Sequence, residues 1–432
     1  MSDLILVLET LLAPFVGLGV VASFALSRRR KLLADLWEEL PERCGGLAPE
    51  ARAKLQGRRI WWLHAASAGE VGGLIPVIES LASRPDAPAL VVTTMTAAGR
   101  DAARAIAQVA WAQIAPVDAW PFVSRFIKAL HPERMVLAET EIWPSTLILA
   151  ARAGLKPSLI NARLGAKSLS RLKLLSPLLA PALDSLSLVA AQSPQHAERF
   201  NALGVAGHKI RVSGNCKYDR VHAAAASAEA DERLARLGWQ KAPLFVAGCT
   251  HPGEEDAVLA GFLQAKTRRP ELKLIMAPRH VERSHEALRS LKDSSLRVEL
   301  WSKIGPASRP RPDTEALLVD SMGSLGALYA RAQTAFVGGT LVPVGGHNLL
   351  EPALAGVPVL FGPWTEHIED PALLLERSGG GFRVRSAAEI ADRLVELDET
   401  RARAAGAKAK EAAQRLQGAT SRTLELLEGR GG

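Results

Sequence analysis

Short apolar runs alternate along most of the chain with longer stretches that are rich in Ala and Leu and have helical spacing. The runs are apolar on both faces, which is typical of parallel strands covered by helices on both sides. This pattern predicts two doubly wound α/β domains with a cleft between them. The predicted strands are RIWWLHA, ALVVTTM, VAWAQIAP, RMVLAET, PSLINA, SLVAAQS and KIRVSG, followed by PLFVAGC, LKLIMAP, LRVELWS, ALLVDSM, TAFVGG and VPVLFG.

The same pattern divides the chain into segments. Residues 222–243 (HAAAASAEADERLARLGWQKAP) contain no strand pattern, and we predict that they form a hinge. The hinge separates an N-terminal domain, residues 28–221, from a C-terminal domain, residues 244–390. Residues 391–432 have the pattern of a polar helix, and residues 1–27 form a separate apolar segment.

The start of the chain is strongly apolar. Leu4–Leu26 contains one charged residue, Glu9, and is followed by the basic run Arg28–Lys31. A helix of this length reaches about 34 Å, against a hydrocarbon core of about 30 Å. We therefore predict a membrane anchor over residues 1–27, either spanning the bilayer or lying deep in its interface. Because the basic residues follow the apolar run, the rest of the chain is predicted on the cytoplasmic side.

Composition limits the classes of partner. Hydrophobic residues make up 48% of the chain, enough for a core in each domain. Cys44, Cys216 and Cys249 are far apart, which argues against a disulfide framework or a structural zinc site. The net charge of +8 suggests an anionic partner: nucleic acid, anionic lipid or a phosphorylated substrate. With a membrane anchor, the simplest interpretation is a body that lies against an anionic membrane surface.

Acidic side chains follow two of the predicted strands. Ligands of doubly wound sheets bind at the carboxyl ends of the strands. Glu70 follows RIWWLHA in a loop of small residues, and Glu139 and Glu141 follow RMVLA. An acid in a first helical turn can simply complement the helix dipole. The same dipole would also keep the Glu70 carboxylate ionised and ready to accept a proton.

Basic side chains follow other strands. Lys217 and Asp219 come after KIRVSG, and Arg279 comes after LKLIMAP. A guanidinium can hold a phosphate or carboxylate through two hydrogen bonds. Taken alone, each of these residues is more often a surface charge or a cap. Because charged residues recur at the ends of successive strands, the sequence predicts a ligand-binding site there.

The segment Phe336–Gly356 (FVGGTLVPVGGHNLLEPALAG) combines a strand end, a glycine-rich loop and a helix start. Backbone N–H groups in such a loop suit a phosphate or another anion. Asn348 and Glu351 have the spacing of a capping box, and Glu351 is also placed to reach ribose hydroxyls. His347 is interpreted as a hydrogen-bonding loop residue. The sequence has no HxxxH pair and no DxD after a strand, so no metal site is predicted.

Several ordered motifs now point to a family. They are LHAASAGE, ETEIWP, NARL, SGNCKYD, CTHPGEE, PRHVER, SMGSLGALYARAQTAFVGG and GGHNLLEPA. Through about Gly362 the chain resembles the 3-deoxy-D-manno-octulosonic acid (Kdo) transferases of lipopolysaccharide assembly. The resemblance implies a GT-B fold, CMP-Kdo as donor, a lipid A precursor (lipid IVA) as acceptor, inversion at the anomeric centre and no metal or other cofactor. It also implies an enzyme of the inner membrane.

The resemblance assigns roles by position. It implies that Glu70 is the general base and that Glu141 and Lys217 stabilise charge as the donor bond breaks. The CMP-binding segments that it implies are Pro278 and Arg279, then Met322, Gly323 and Ser324, then Asn348, Leu349, Leu350 and Glu351.

The chain departs from the family pattern at two places. Ser324 stands where members often have Glu, which puts a side-chain contact there in doubt. Trp364 and His367 stand where members usually have His and Asn, so donor contacts of the following helix are expected to differ.

Two other functions remain open. One is another nucleotide-sugar enzyme of the same fold, such as an epimerase, which would need neither an acceptor groove nor an anchor. The other is a membrane-tethered, anion-binding protein without catalysis. RNA is a poor candidate ligand because basic residues are not clustered with Phe or Tyr. No nucleic-acid partner is therefore expected, and CMP release that depends on a lipid acceptor would separate the alternatives.

Overall fold

The computed structural model describes residues 3, 6–7, 31–221, 227–305 and 311–430. They form two compact units, one of Met1–Arg220 with Gln417–Gly432 and one of Val221–Leu416. The predicted membrane anchor over residues 1–27 lies outside the described residues except at positions 3, 6 and 7. In the described part of the chain, no helix combines the length and the apolar character needed to cross a bilayer.

The first unit is built on a parallel sheet of seven strands in the order β3-β2-β1-β4-β5-β6-β7. β1 is an inner strand between β2 and β4, with Trp62 opposite Val91 of β2 and Met135 of β4. The strands are β1 (Ile60–His64), β2 (Ala89–Thr94), β3 (Val109–Ile114), β4 (Arg134–Ala138), β5 (Ser158–Ala162), β6 (Leu188–Ala191) and β7 (Ile210–Val212).

Helices cover both faces of this sheet, as the apolar runs predict. Trp62 and Phe126 pack edge to face on one side, with ring centroids 5.0 Å apart. Leu63 packs on the other side with Leu74. Burying each such side chain stabilises the fold by about 1.5–3 kcal/mol. The helices are Lys31–Arg43, Pro49–Leu55, Ala68–Ala82, Ala97–Arg104, Trp120–Leu130, Pro144–Arg152, Ala166–Leu174, Ser176–Ser185, Pro194–Leu203 and Ala419–Glu428, with 3₁₀ turns at Gly207–Lys209 and Cys216–Arg220.

The second unit repeats this design with a parallel sheet in the order β10-β11-β9-β8-β12-β13-β14. Its strands are β8 (Leu244–Thr250), β9 (Lys273–Pro278), β10 (Val298–Leu300), β11 (Ala316–Leu318), β12 (Thr334–Val337), β13 (Val359–Phe361) and β14 (Gly381–Arg383). All of the predicted strands are confirmed. The edge strand β14 was not predicted, because Phe382 is its only large apolar residue.

Phe245, Phe262 and Phe336 are fully buried in the core of the second unit. Its helices are Ala228–Arg236, Glu254–Arg268, Ser284–Asp293, Leu325–Tyr329, Leu350–Leu354, Glu369–Ser378, Ala387–Glu396 and Glu399–Leu416, with 3₁₀ turns at Val281–Arg283 and Trp301–Lys303.

The structure divides the chain differently from the predicted hinge and C-terminal segment. Residues 227–243 belong to the second unit, where Leu234 and Trp239 are buried. Residues 391–432 are not one segment, because the helix Ala419–Glu428 belongs to the first unit. Its apolar positions include Leu424 and Leu427, which join the core of that unit. Polar residues separate the apolar ones along this segment, so its sequence resembles a polar helix. On the helix, however, the apolar side chains form one buried stripe.

Candidate active site

The first unit places its acidic residues at the point where the strand order reverses. β1 lies between β2 and β4, so the chain leaves β1 and β4 in opposite directions. In open α/β sheets ligands bind at this position, outside the carboxyl ends of the two strands. Glu70 follows β1, and Glu139 and Glu141 follow β4. The structure therefore brings the three predicted acids to one switch point.

Glu70 lies in the first turn of the helix Ala68–Ala82, whose N-cap is Ser67. The Ala66 N–H donates to Glu70 Oε2 at 2.8 Å, and Ser67 Oγ donates to Oε1 at 3.2 Å. Burial raises the pKa of Glu70, and the charges of Glu141 and Glu139 raise it further. The carboxylate is thus a cap with a fixed direction, and it is also a stronger base than an ordinary glutamate.

Lys217 lies in the 3₁₀ turn Cys216–Arg220 and pairs with Glu139, with Nζ 2.8 Å from Oε1. Glu139 itself has a φ of 53°, which is uncommon for a residue other than glycine. Gly73 makes room for the lysine, since a Cβ there would lie 2.9 Å from Lys217 Cε. The resemblance implies that Lys217 stabilises charge on the donor, and the structure shows its ammonium paired with Glu139.

Glu141 contacts two aromatic rings. The Trp143 Nε1–H donates to Glu141 Oε2 at 2.5 Å. His64 Nε2 lies 3.3 Å from the same oxygen, within ion-pair distance but without the alignment of a hydrogen bond. The opposite ring nitrogen of His64 lies 2.9 Å from Thr93 Oγ1. Sequence reasoning missed His64; the only signal was a histidine that ends a buried apolar strand.

In the second unit the strand order reverses between β8 and β12. Glu254 begins the helix that follows β8, and its side chain is completely buried. Its carboxylate accepts four backbone hydrogen bonds, from Gly339 (2.7 Å), Leu341 (2.8 Å), Thr340 (2.9 Å) and His251 (2.9 Å).

This contact occupies one part of the glycine-rich segment. The sequence predicts that N–H groups of the loop around Gly345 and Gly346 suit an anion, and the structure shows that those of residues 339–341 hold the Glu254 carboxylate. Glu254 belongs to the motif CTHPGEE, but the sequence alone assigns it no role. An acid at the start of a helix ordinarily indicates only a dipole contact.

Histidine side chains gather beside this loop. His251 Nε2 lies 2.7 Å from His347 Nε2, and the two rings are stacked with centroids 5.0 Å apart. His280 stands edge-on to His251 at 6.0 Å. Burial and the neighbouring cationic and imidazole groups lower the pKa of His347 to about 4, and burial also lowers that of His251. His347 is a hydrogen-bonding loop residue, as predicted, and its partner is another histidine.

Arg279 and its neighbour His280 are exposed just beyond the end of β9, whose last residue is the buried Pro278. The Arg279 guanidinium makes no hydrogen bond or ion pair with the residues that the structure describes. Its positive charge is therefore available to a ligand.

The predicted nucleotide-binding residues Met322, Gly323 and Ser324 precede the helix Leu325–Tyr329. Met322 is 74% exposed, and Gly323 has a φ of 95°, which a residue with a side chain rarely adopts. Ser324 Oγ accepts a hydrogen bond from Trp301 Nε1 at 2.8 Å. At this departure from the family pattern, the side chain is thus engaged within the protein.

The segment Asn348–Glu351 divides into exposed and buried positions. Asn348 Oδ1 accepts from the Leu350 N–H at 3.0 Å, which orders the start of the helix Leu350–Leu354. Leu349 and Leu350 are completely buried, so within this segment only Asn348 and Glu351 present surface to a ligand. Glu351 turns toward Gly326, where a Cβ would lie 2.9 Å from Glu351 Oε1.

The second departure lies after β13. Trp364 is 42% exposed, and its N–H donates to Thr340 O at 3.0 Å. The His367 ring packs on Gly345, where a Cβ would lie 2.6 Å from His367 Nδ1. Both residues thus lie against the glycine-rich loop. Among the described residues, no three His, Cys, Asp or Glu side chains are grouped so that they could hold a metal ion.

Comparison with known proteins identifies the family. A family model described as 3-deoxy-D-manno-octulosonic-acid transferase (kdotransferase) matches residues 38–220. The 3-deoxy-D-manno-octulosonic acid transferase of Haemophilus influenzae is 30% identical over 99% of this chain and 97% of its own. The chain belongs to the Kdo transferase family. The Bordetella pertussis member is also 30% identical, over 95% of this chain and 96% of its own.

Members of the Kdo transferase family are glycosyltransferases, and Glu70, Glu141 and Lys217 all lie in the region that the family model matches. The fold is shared more widely. A putative UDP-N-acetylglucosamine 2-epimerase of Listeria monocytogenes is 13% identical, with a TM-score of 0.56 over 86% of this chain and 96% of its own. At this identity the likeness shows the fold alone. It agrees with the predicted pair of Rossmann-like, doubly wound sheets.

Proposed function

We propose that the protein transfers Kdo from CMP-Kdo to the lipid A precursor lipid IVA, with inversion at the anomeric centre. Family membership supports the reaction class. The observation that supports the chemistry most directly is Glu70, which lies at the switch point of the first sheet with its direction fixed by two hydrogen bonds. Glu70 is the general base in this proposal.

The acceptor is a sugar hydroxyl, whose own pKa is too high for it to attack unaided. An ionised carboxylate must take its proton as the new bond forms. A raised pKa makes Glu70 a better proton acceptor, while the bonds from Ala66 and Ser67 hold its oxygens in place. Burial and the neighbouring acids thus serve the reaction, although they oppose ionisation of Glu70.

Negative charge develops on the CMP phosphate as the donor bond breaks. In the second unit the unpaired guanidinium of Arg279 is placed to stabilise it without a metal ion. Asn348, which is exposed, would contact the nucleotide, and Glu351 would reach the ribose. Glu141 and Lys217 would act on the sugar end of the donor. Because Lys217 is paired with Glu139, it would either bind the donor's anion beside that carboxylate or exchange partners.

We further propose that the protein works at the cytoplasmic face of the inner membrane. The apolar segment over residues 1–27 would anchor it there, and the net charge of +8 would favour an anionic lipid surface. The anchored enzyme would then remain at the membrane, within reach of a lipid acceptor embedded in the same surface.

The proposal is tested by transfer of Kdo from CMP-Kdo to a tetraacylated lipid A precursor, followed by CMP release and by the mass of the lipid product. We expect Glu70→Gln to lose on the order of 100-fold or more in rate. Glu79→Gln is the matched control, because Glu79 is exposed on the same helix. A Glu70→Gln protein as active as wild type would exclude the base role. Turnover of donor without lipid would favour an epimerase-like enzyme instead.

A further inference from the structure

Imidazole groups from four strand ends surround one point of the second sheet. His251 follows β8, His280 follows β9, His347 lies in the loop after β12, and His367 follows β13. We call these four residues the histidine cluster. Arg279 lies directly beside it, and its charge acts on both His251 and His347. No role has been assigned above to any of the four histidines.

The pair at the centre of the cluster has a definite protonation chemistry. The two Nε2 atoms of His251 and His347 are 2.7 Å apart, so one must carry a hydrogen and the other must accept it. The pair is uncharged when each ring holds one proton. A further proton can enter only at the Nδ1 atom of the donating ring, which leaves the bridge between the rings intact.

One carboxylate acts on the pair: the charge of Glu254 raises the pKa of His251, but burial lowers that pKa by more. Glu254 is the nearest acid in the first turn of its helix, and its oxygens already accept backbone N–H groups. Arg283 faces the pair from the turn after β9 and is itself bound to Glu255 and Glu286. The remaining groups that face the pair are His280, His367 and Arg279, none of which is negative. Of the two arginines beside the pair, only Arg279 has no carboxylate partner among the described residues.

The glycine-rich loop does not compete for an anion at this place. Its N–H groups at residues 339–341 are occupied by Glu254, as described above. A negatively charged ligand that approaches this sheet edge thus meets the guanidinium of Arg279 and the imidazole pair. These side chains, and not the N–H groups of residues 339–341, are the hydrogen-bond donors that it meets.

We propose that His251, His347 and Arg279 form a subsite for an anionic group of the donor, and that the histidine pair takes up a proton when the anion binds. This inference rests on the proposed function, since it assigns these residues to the same donor. The anion is a phosphate or a carboxylate, and CMP-Kdo contains both.

The surroundings of the histidine pair determine whether anion binding strengthens or weakens as the pH falls. Without a ligand, burial and nearby cations lower the pKa of His347 to about 4, so the ring is neutral at pH 7. An anion placed against the pair favours its charged form and raises that pKa. Protons therefore bind together with the ligand, and affinity rises as the pH falls toward the raised value. One proton taken up changes the affinity by at most about tenfold per pH unit.

The test is calorimetric titration of the full chain between pH 6 and pH 8, in pairs of buffers that differ in ionisation enthalpy. The probes are CMP, cytidine and free Kdo, which separate phosphate, nucleoside and carboxylate. The variants are His347→Gln and His251→Gln, with His285→Gln as the matched control. His285 is an exposed histidine of the same unit that contacts the Glu282 carbonyl and lies outside the cluster. The CMP phosphate itself titrates near pH 6. We therefore compare the number of protons taken up by wild type with the number taken up by each variant.

We expect proton uptake with CMP in wild type and in His285→Gln, its loss in both cluster variants, and none with cytidine. Uptake with Kdo but not with CMP would assign the subsite to the donor carboxylate. Equal pH dependence in wild type and both cluster variants would overturn the inference, and so would an absence of binding by both anions. The Kdo transfer assay is separate. If the protein transfers Kdo but takes up no proton with the anion, only the proposed subsite is refuted. If it takes up a proton but transfers no Kdo, only the proposed function is refuted.

Discussion

The buried carboxylate of Glu254 offers the sharpest test of how the second unit holds its glycine-rich loop. Glu254→Gln keeps the size of the side chain but leaves one acceptor oxygen. Either pair of donors, Thr340 with Leu341 or His251 with Gly339, would then face an NH₂ group that cannot accept. Two hydrogen bonds are lost, and two buried N–H groups are left without a partner.

The magnitude follows from these four contacts. A hydrogen bond to a charged group is worth about 1.5–3 kcal/mol, and a buried N–H left unpaired costs about 1–3 kcal/mol. Since the two figures overlap, we count one of them for each lost bond and expect a loss of about 3 kcal/mol or more for Glu254→Gln. At 1.4 kcal/mol per factor of ten, the opening equilibrium of the loop shifts by more than about 100-fold.

The assay is hydrogen exchange, read by mass spectrometry on peptides that cover residues 336–349. Exchange of the amides at residues 339–341 should accelerate by about that factor, and the unfolding midpoint should fall. Asp256→Asn is the matched control, because Asp256 is exposed in the first turn of the same helix. Unchanged exchange at residues 339–341 in Glu254→Gln would show that the carboxylate does not hold the loop.

Three further outcomes are expected. Gly73→Ala brings a methyl group to within 2.9 Å of Lys217 Cε, and should lower kcat for Kdo transfer about tenfold while Gly72→Ala, which has open space, does not. Because the pKa of Glu70 is raised above 4.5, we expect kcat/KM to fall on the acid side at a pH above 4.5, as Glu70 becomes protonated. A fall only at or below pH 4.5 would contradict the assignment. Asp219→Ala removes three backbone hydrogen bonds at the start of the helix Ala419–Glu428, and should lower the unfolding free energy of the first unit by about 1–2 kcal/mol in denaturant titrations.

The sheets could be predicted because of how parallel strands are buried. A strand such as Ile60–His64 is covered on both faces, so all of its residues are buried and the run is apolar throughout. The edge strand Gly381–Arg383 has a neighbour on one side only and a single large apolar side chain. Nothing in its sequence distinguishes it from a loop. The pattern therefore found the centre of each sheet and missed one edge.

The site was predicted in part for a similar reason. Glu70 and Arg279 are recognisable because each comes soon after an apolar run, and the carboxyl end of such a run is where ligands bind. Glu254 and His64 owe their roles to partners that lie far away in the chain, such as Thr340 and Glu141. A single sequence does not show which residues meet across a sheet. The partners of charged groups are therefore what the structure adds.

The helix Ala419–Glu428 has a consequence for the order in which the first unit is completed during synthesis. It is part of the first unit, but residues 221–416 lie between it and the rest of that unit. At about 5–20 residues per second, the ribosome delivers this helix roughly 10–40 s after Asp219, whose carboxylate receives its first N–H groups. Until then, the places of Leu424 and Leu427 in the core stay open. The first unit is thus closed only after residues 221–416, which belong to the second unit, have been translated.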